Sequence, residues 1–169
     1  MKKHIFSLAL ASLLFGACGG GEAPETTSGN ETPATETTTQ AQAPEVVEIV
    51  IESNDQMKYN LDRIDVMAGQ TVRLTLKHVG QMAKEAMGHN WVLVAKGTDL
   101  AEFGGAAAAA AATDYIPAEF ESQVIAHTST IGGGEEVTIE FTAPEKGIYD
   151  FFCSFPGHYA MMRGKFVVL

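Results

Sequence analysis

Cys153, His158, Met161 and Met162 crowd into one short segment near the C-terminus, and all four side chains can bind a soft metal. The spacing is Cys-x4-His-x3-Met, and Pro156-Gly157 puts a bend between the thiol and the imidazole, so both can face one point. Far upstream, the run Met87-Gly88-His89-Asn90-Trp91 offers a second imidazole at the mouth of another apolar stretch. Singly, each residue has an ordinary packing role: a lone cysteine fills cores, and so does methionine. Together, two imidazoles, one thiolate and one weak thioether form a donor set suited to copper. Zinc prefers four strong ligands and gains little from a thioether. Magnesium and calcium take oxygen donors, which this set lacks.

Such a set needs a scaffold that brings residue 89 next to residues 153–162. The segments 46–51, 72–76, 91–94, 137–141, 149–153 and 165–169 are short and rich in β-branched or aromatic residues. Most alternate apolar with polar, as in Thr71-Val72-Arg73-Leu74-Thr75-Leu76. Glycines and prolines at 69, 80, 88, 132–134, 144, 147 and 156–157 mark the joints. The pattern predicts an all-β, Greek-key β-sandwich of about eight strands. One stretch departs from it. Residues 98–121 hold Gly104-Gly105 and then seven alanines, 106–112. Alanine is the best helix former, so a short helix is expected there as an inserted flap, with Pro117 outside its interior. The glycine pair and the weak apolar stripe leave an irregular loop as the alternative.

The first residues carry an address. Lys2 and Lys3 precede residues 5–15, which are apolar except for Ser7 and Ser12, and then come Gly16, Ala17 and Cys18. This is the layout of a secretory signal over residues 1–17, and the segment is too short to span a membrane. The small residues before Cys18 resemble the lipobox of bacterial lipoproteins, with Phe15 where leucine is usual. That resemblance implies lipidation of Cys18. A plain signal cleaved near Ala17 is the other reading. Residues 19–44 contain Gly, Thr, Glu, Pro, Ala, Gln and other small or polar residues but no large apolar one, so residues 18–44 read as a lipidated N-terminus and flexible tether. The folded domain is then 45–169.

Composition excludes several classes of function. The chain has 169 residues with 11 Lys+Arg against 21 Asp+Glu, a formal net charge of -10. A nucleic-acid binder would need a basic stripe, and none is present. With only two cysteines, neither a disulfide framework nor a CxxC motif is available.

Over residues 48–169 the chain resembles the cupredoxins, the type 1 blue copper proteins, and within them the azurins. The likeness rests on SNDQMKYN at 53–60, AMGHNWVLV at 86–94, VIAHTSTIGGGE at 124–135 and FFCSFPGHYAMMRG at 151–164. It implies that His89, Cys153 and His158 are the strong ligands of one copper ion cycling between Cu(I) and Cu(II). Met162 would be the axial ligand, and the Gly88 carbonyl would approach from the other side. By the same likeness, Asn90 and Ser154 tie the two ligand loops together. An apolar patch of Met57, Met82, Ala86, Met87, Phe155, Pro156 and Met161 would dock partners around His158. His78 and His127 match family histidines that are not ligands. The disulfide usual in the family is absent, since the domain holds only Cys153.

The function so implied is single-electron transfer between redox partners of the bacterial cell envelope, such as a c-type cytochrome, a reductase or an oxidase. The protein would be a periplasmic monomer anchored to the membrane through Cys18, with no enzymatic activity. Chains with a linked second copper site place histidine beside the blue-copper cysteine, whereas Phe152 and Ser154 flank Cys153. A copper store or chaperone is the alternative.

Overall fold

The computed structural model describes residues 46–169. The signal, the tether and Cys18 lie outside the described residues. Among the described residues, nine strands form two facing mixed sheets. One sheet has the order β2-β1-β4-β7, built from β1 Val47–Asn54, β2 Lys58–Tyr59, β4 Thr71–His78 and β7 Glu136–Thr142. The other has the order β3-β9-β8-β5-β6, from β3 Arg63–Val66, β5 Val92–Val94, β6 Val124–His127, β8 Gly147–Phe152 and β9 Arg163–Val168. This is the sandwich that the alternation predicts. The strongly alternating segments are all strands, and three short ones join them: β2, β3 and β6.

Why the two sheets meet is legible in β4. Val72, Leu74, Leu76 and His78 are buried, while Arg73 points to solvent and pairs with Glu48 and Glu140 on the neighbouring strands. The inward residues of β1 and β4 pack on those of the other sheet, around Trp91, Phe151 and Phe166. Trp91 is fully buried, with ring centroids 5.7 Å from both Phe141 and Phe151. Its indole N–H has no hydrogen-bond partner among the described residues, and the ring packs among aromatic neighbours of both sheets.

Two register facts place the ligands. β5 pairs with β8 so that Val92 faces Phe152, and this sets the residues just before β5 beside those just after β8. His89 forms an isolated bridge with Ile131, which fixes the chain as it enters β5. The ends of β5 and β8 therefore open at the same pole of the sandwich.

The flap differs from the alanine reading in its boundaries. After α1 Lys84–Met87, the helix α2 spans Leu100–Ala107, so it holds both glycines and only the first two residues of the alanine run. Its start is fixed by Asp99, whose carboxylate accepts from the N–H groups of Ala101 and Glu102. Phe103 and Ala107 are buried against the outer face of the five-stranded sheet, with Phe103 edge-on to Phe152 at 5.1 Å. Beyond Ala107 the alanines are largely exposed and the chain breaks into two 3-10 segments, Ala111–Thr113 and Ala118–Gln123. Propensity alone does not hold a helix this short; burial of one face does, and the later alanines have nothing to bury. Pro117 is the extended residue just before the second 3-10 segment, outside any helix interior.

Candidate metal centre

The loop between β8 and β9 is a closed structure. The Cys153 N–H donates to the Met162 carbonyl at 2.9 Å, which ties its two ends together. Inside, the N–H groups of Met161 and Met162 both donate to the His158 carbonyl, winding the chain into a tight turn. Gly157 has φ +82°, a left-handed conformation that a side chain would strain, and it makes the reversal after Pro156 possible. Cys153, Phe155 and Met162 are buried in one cluster, against which Met57, Tyr59 and Tyr115 pack.

His89 reaches this loop from the mouth of β5. The His89 Nδ1 lies 3.9 Å from Cys153 Sγ, and the His158 Nδ1 lies 3.6 Å from it. All three donor atoms fall within 4.8 Å of one another, and the three residues are buried. The His89 ring is oriented from behind: its Nε2–H donates to the Asn54 carbonyl at 3.0 Å, which leaves Nδ1 unprotonated and facing the sulfur. His78 stacks on His89 with centroids 4.5 Å apart, its Nε2–H donates to the Met87 carbonyl, and its Nδ1 accepts from the Gly80 N–H. The side chain of His78 is thereby satisfied and turned away from the site.

Asn90 and Ser154 are joined directly. The Asn90 amide oxygen accepts from the Ser154 N–H at 2.9 Å, and its amide nitrogen donates to Ser154 Oγ at 2.8 Å and to the Asp114 carbonyl at 2.7 Å. The Tyr59 hydroxyl donates to the Asn90 carbonyl. Gly88 is buried, and a Cβ there would lie 2.5 Å from the Lys84 carbonyl and 2.8 Å from the Phe155 ring, so no other residue fits without displacing them. The residues expected to dock partners differ in exposure: Met82 and Met161 are exposed, Met57, Met87 and Pro156 half-buried, and Phe155 buried with its ring 4.8 Å from that of His158. His127 is exposed at the end of β6.

The electrostatics test whether a metal suits these residues. Burial pushes the pKa of His89 down to about 4, with the neighbouring His78 and His158 adding to the shift against the opposing bond to Asn54. Burial likewise pushes His158 down to about 4. Both imidazoles are therefore neutral near pH 7, with lone pairs available. Burial raises the Cys153 thiol to about 12, although hydrogen bonds from the Asn90 and Phe155 backbones pull the other way. A thiolate here needs a cation beside it. Two neutral imidazoles and a thiol that only a cation can ionise fit a soft or borderline metal ion, and the group contains no carboxylate for a hard one.

A Greek-key sandwich with a buried His-Cys-His group at one pole defines a cupredoxin. The comparisons agree. The family described as copper binding proteins, plastocyanin/azurin family, matches residues 45–169. The chain is similar to azurin of Achromobacter denitrificans, 46% identical over 121 residues that cover 69% of this chain and 80% of that one. It is also similar to Outer membrane protein H.8 of Neisseria gonorrhoeae, 43% identical over 118 residues, 68% of this chain and 63% of that one. Among solved structures it is similar to auracyanin A, a "blue" copper protein from the green thermophilic photosynthetic bacterium Chloroflexus aurantiacus. The TM-score is 0.67 at 35% identity, over 74% of this chain and all of that one. The chain belongs to the plastocyanin/azurin family of copper-binding proteins. Its cofactor is one type 1 copper ion, and its function is blue-copper electron transfer.

Three supports of the site escape a reading of side-chain types. The Asn54 carbonyl that orients His89 and the Asp114 carbonyl that receives Asn90 are backbone groups, which carry no signature in residue type. Tyr59 lies in a quoted motif, but its reach to Asn90 depends on the turn between β1 and β2.

Proposed function

We propose that this protein carries single electrons between redox proteins of the bacterial cell envelope, with His89 Nδ1, Cys153 Sγ and His158 Nδ1 as the strong ligands of its copper. Met162, buried in one cluster with Cys153, would add a thioether to this donor set and Gly88 its carbonyl oxygen. Copper, when bound, supplies a one-electron couple between Cu(I) and Cu(II). The chain supplies a fixed frame. Asn54 holds the His89 ring, the Asn90–Ser154 bonds hold the two ligand segments together, and the 153–162 loop is closed on itself. A frame held from so many sides moves little when the charge at its centre changes. The convergence of three buried donors with no carboxylate among them carries this reading.

Several finer assignments follow from the same site. Four side chains and a carbonyl would leave the ion no coordination position for a substrate, which supports a carrier rather than an enzyme. Electrons enter and leave through His158, the ligand on the loop that carries exposed Met161. A patch of Met57, Met82, Met87, Phe155, Pro156 and Met161 gives a partner such as a c-type cytochrome, a reductase or an oxidase the small contact typical of redox encounters. The carrier works as a monomer.

The test is visible absorption and electron spin resonance of the Cu(II)-loaded protein, followed by a reductive titration. An intense blue band, narrow copper hyperfine splitting and a reversible one-electron step are expected. A pale sample with ordinary tetragonal copper signals would refute the ligand set. Tight Cu(I) binding without reversible oxidation would instead favour a copper store.

Residues 1–17 act as a secretory signal and Cys18 as the lipid attachment point, with residues 19–44 tethering the domain to a membrane in the periplasm. Among the described residues no helix is long and apolar enough to cross a membrane. Detergent-phase partitioning of full-length protein that is lost in Cys18→Ala is the expected outcome. Equal partitioning of both forms would sink the anchor.

A further inference from the structure

The flap touches the ligand loop at two places and, at a third, Asn90, which is bonded to that loop at Ser154. Gly104, in the middle of α2, faces Tyr159 so closely that a Cβ on it would lie 2.4 Å from Tyr159 Cδ1 and 2.6 Å from Cγ. These atoms are near the root of the side chain, so the ring cannot swing its tip aside to make room. At the far end of the flap, the Asp114 carbonyl accepts from Asn90, the residue that holds Ser154. Next to it, the Tyr115 ring meets Phe155 edge-on at 4.9 Å. Asp114 and Tyr115 have φ of +53° and +62°. Two consecutive left-handed residues that are not glycine are costly and persist only where the surroundings enforce them. The strain therefore sits at the two residues that grip the site.

We propose that the flap is a clamp that holds the 153–162 loop in its ligating shape before metal arrives, and that the contact of Tyr159 with the backbone at Gly104 is its main grip. Tyr159 immediately follows the ligand His158, so displacing its ring tilts the turn that aims the imidazole. The clamp also accounts for the glycine. A glycine inside an eight-residue helix costs up to about 1 kcal/mol against alanine, and here its bare backbone is the seat for the ring. Gly105, beside it, has nothing within 4 Å and is exposed. It serves as an internal control: alanine there gains the same helix propensity and touches nothing. The inference rests on the copper reading above, but its first readout needs no copper.

The experiment compares Gly104→Ala, Gly105→Ala, Tyr159→Ala and the double variant Gly104→Ala/Tyr159→Ala. In the copper-free protein, amide hydrogen exchange over residues 154–162 is measured beside that of β4 as a reference. In the loaded protein, copper release to an excess of chelator and the position of the visible band are followed. Gly104→Ala is expected to speed both loop exchange and copper release about tenfold, the scale of a single overpacked contact. It should also shift the visible band while β4 exchange stays unchanged. Gly105→Ala should match wild type within about twofold. Removing the ring takes away the clash, so the double variant should behave like Tyr159→Ala alone. If Gly104→Ala behaves like Gly105→Ala, or if the double variant is additive in its defects, the clamp is overturned. Wild type failing to bind copper would refute the site reading instead, a separate outcome.

Discussion

Cys153→Ser protein is expected to take up Cu(II) weakly and to show no intense blue band. The visible colour of such a site comes from the copper–thiolate bond, and a serine hydroxyl offers neither the charge nor the polarizable electrons. The loss should be complete in the spectrum and should abolish reversible one-electron cycling. The same variant probes the empty frame. Cys153 is fully buried, and its sulfur faces His89, His158 and the Tyr59 side of the site. A hydroxyl there must find a partner or pay for desolvation, so copper-free Cys153→Ser should be less stable than wild type by about 1–3 kcal/mol. Loading separates the two proteins further, because only wild type gains the mass-action stabilisation, about 2.7 kcal/mol at free copper one hundred times its dissociation constant. Urea denaturation with and without copper measures both quantities. A serine variant that keeps the blue band would show that Cys153 is not a ligand.

The copper-free protein is also expected to have a stability plateau with two falling limbs. His89 and His158 have ordinary values of 6.5 that folding lowers to about 4. Between those values the unfolded chain binds more protons than the folded one, so stability rises with pH across the window and is lost as pH falls toward 4. While both imidazoles differ between the states, the slope approaches about 2.7 kcal/mol per pH unit. Cys153 works in the opposite direction. Its ordinary value of 9.0 is raised to about 12, so above pH 9 the unfolded chain ionises first and stability falls as pH climbs. The plateau should therefore lie between about pH 6.5 and 9, the ordinary values of the two kinds of group. Denaturant midpoints across pH 4–11 test this. Because the ion must displace the thiol proton, loading near pH 7 should release about one proton and flatten the alkaline limb. A flat profile from pH 4 to 6.5 would mean that the two imidazoles are not held neutral by burial.

How far the sequence foretells this molecule varies by element. β4 and β7 are legible because one face of each is wet and the other packs inward, so their alternation survives in the residue types. β2 is two residues long and β3 only four, too short for a period to emerge. Two of the three grouped donors are legible because Cys153 and His158 share one loop. The placement of His89 beside them rests on register between β5 and β8, which the strand signals make plausible but do not fix. The flap is where local preference misleads. The alanine run advertises a helix, yet the helix forms upstream, where Asp99 caps it and Phe103 anchors it. Gly104 and Gly105 look like helix breakers until Tyr159 is seen lying against the first of them.

The strand that follows the ligand loop has a bearing on how the protein comes to exist at all. β9 lies between β3 and β8, so it is an interior strand made from late sequence, and its parallel partner in β3 is about 100 residues earlier. The hairpin it makes with β8 is local and quick to form, but the match with β3 must close nearly the whole domain as one loop, which is entropically slow. Until it does, β3 has no partner in its sheet, and the β8–β9 hairpin, which carries Cys153 and His158 on its loop, lacks that neighbour. During synthesis His89 emerges long before Cys153, and the two meet only once β5 has paired with β8. The affinity for metal is thus a property that the chain acquires late, because the pairing that brings His89 beside Cys153 and His158 joins segments about 60 residues apart.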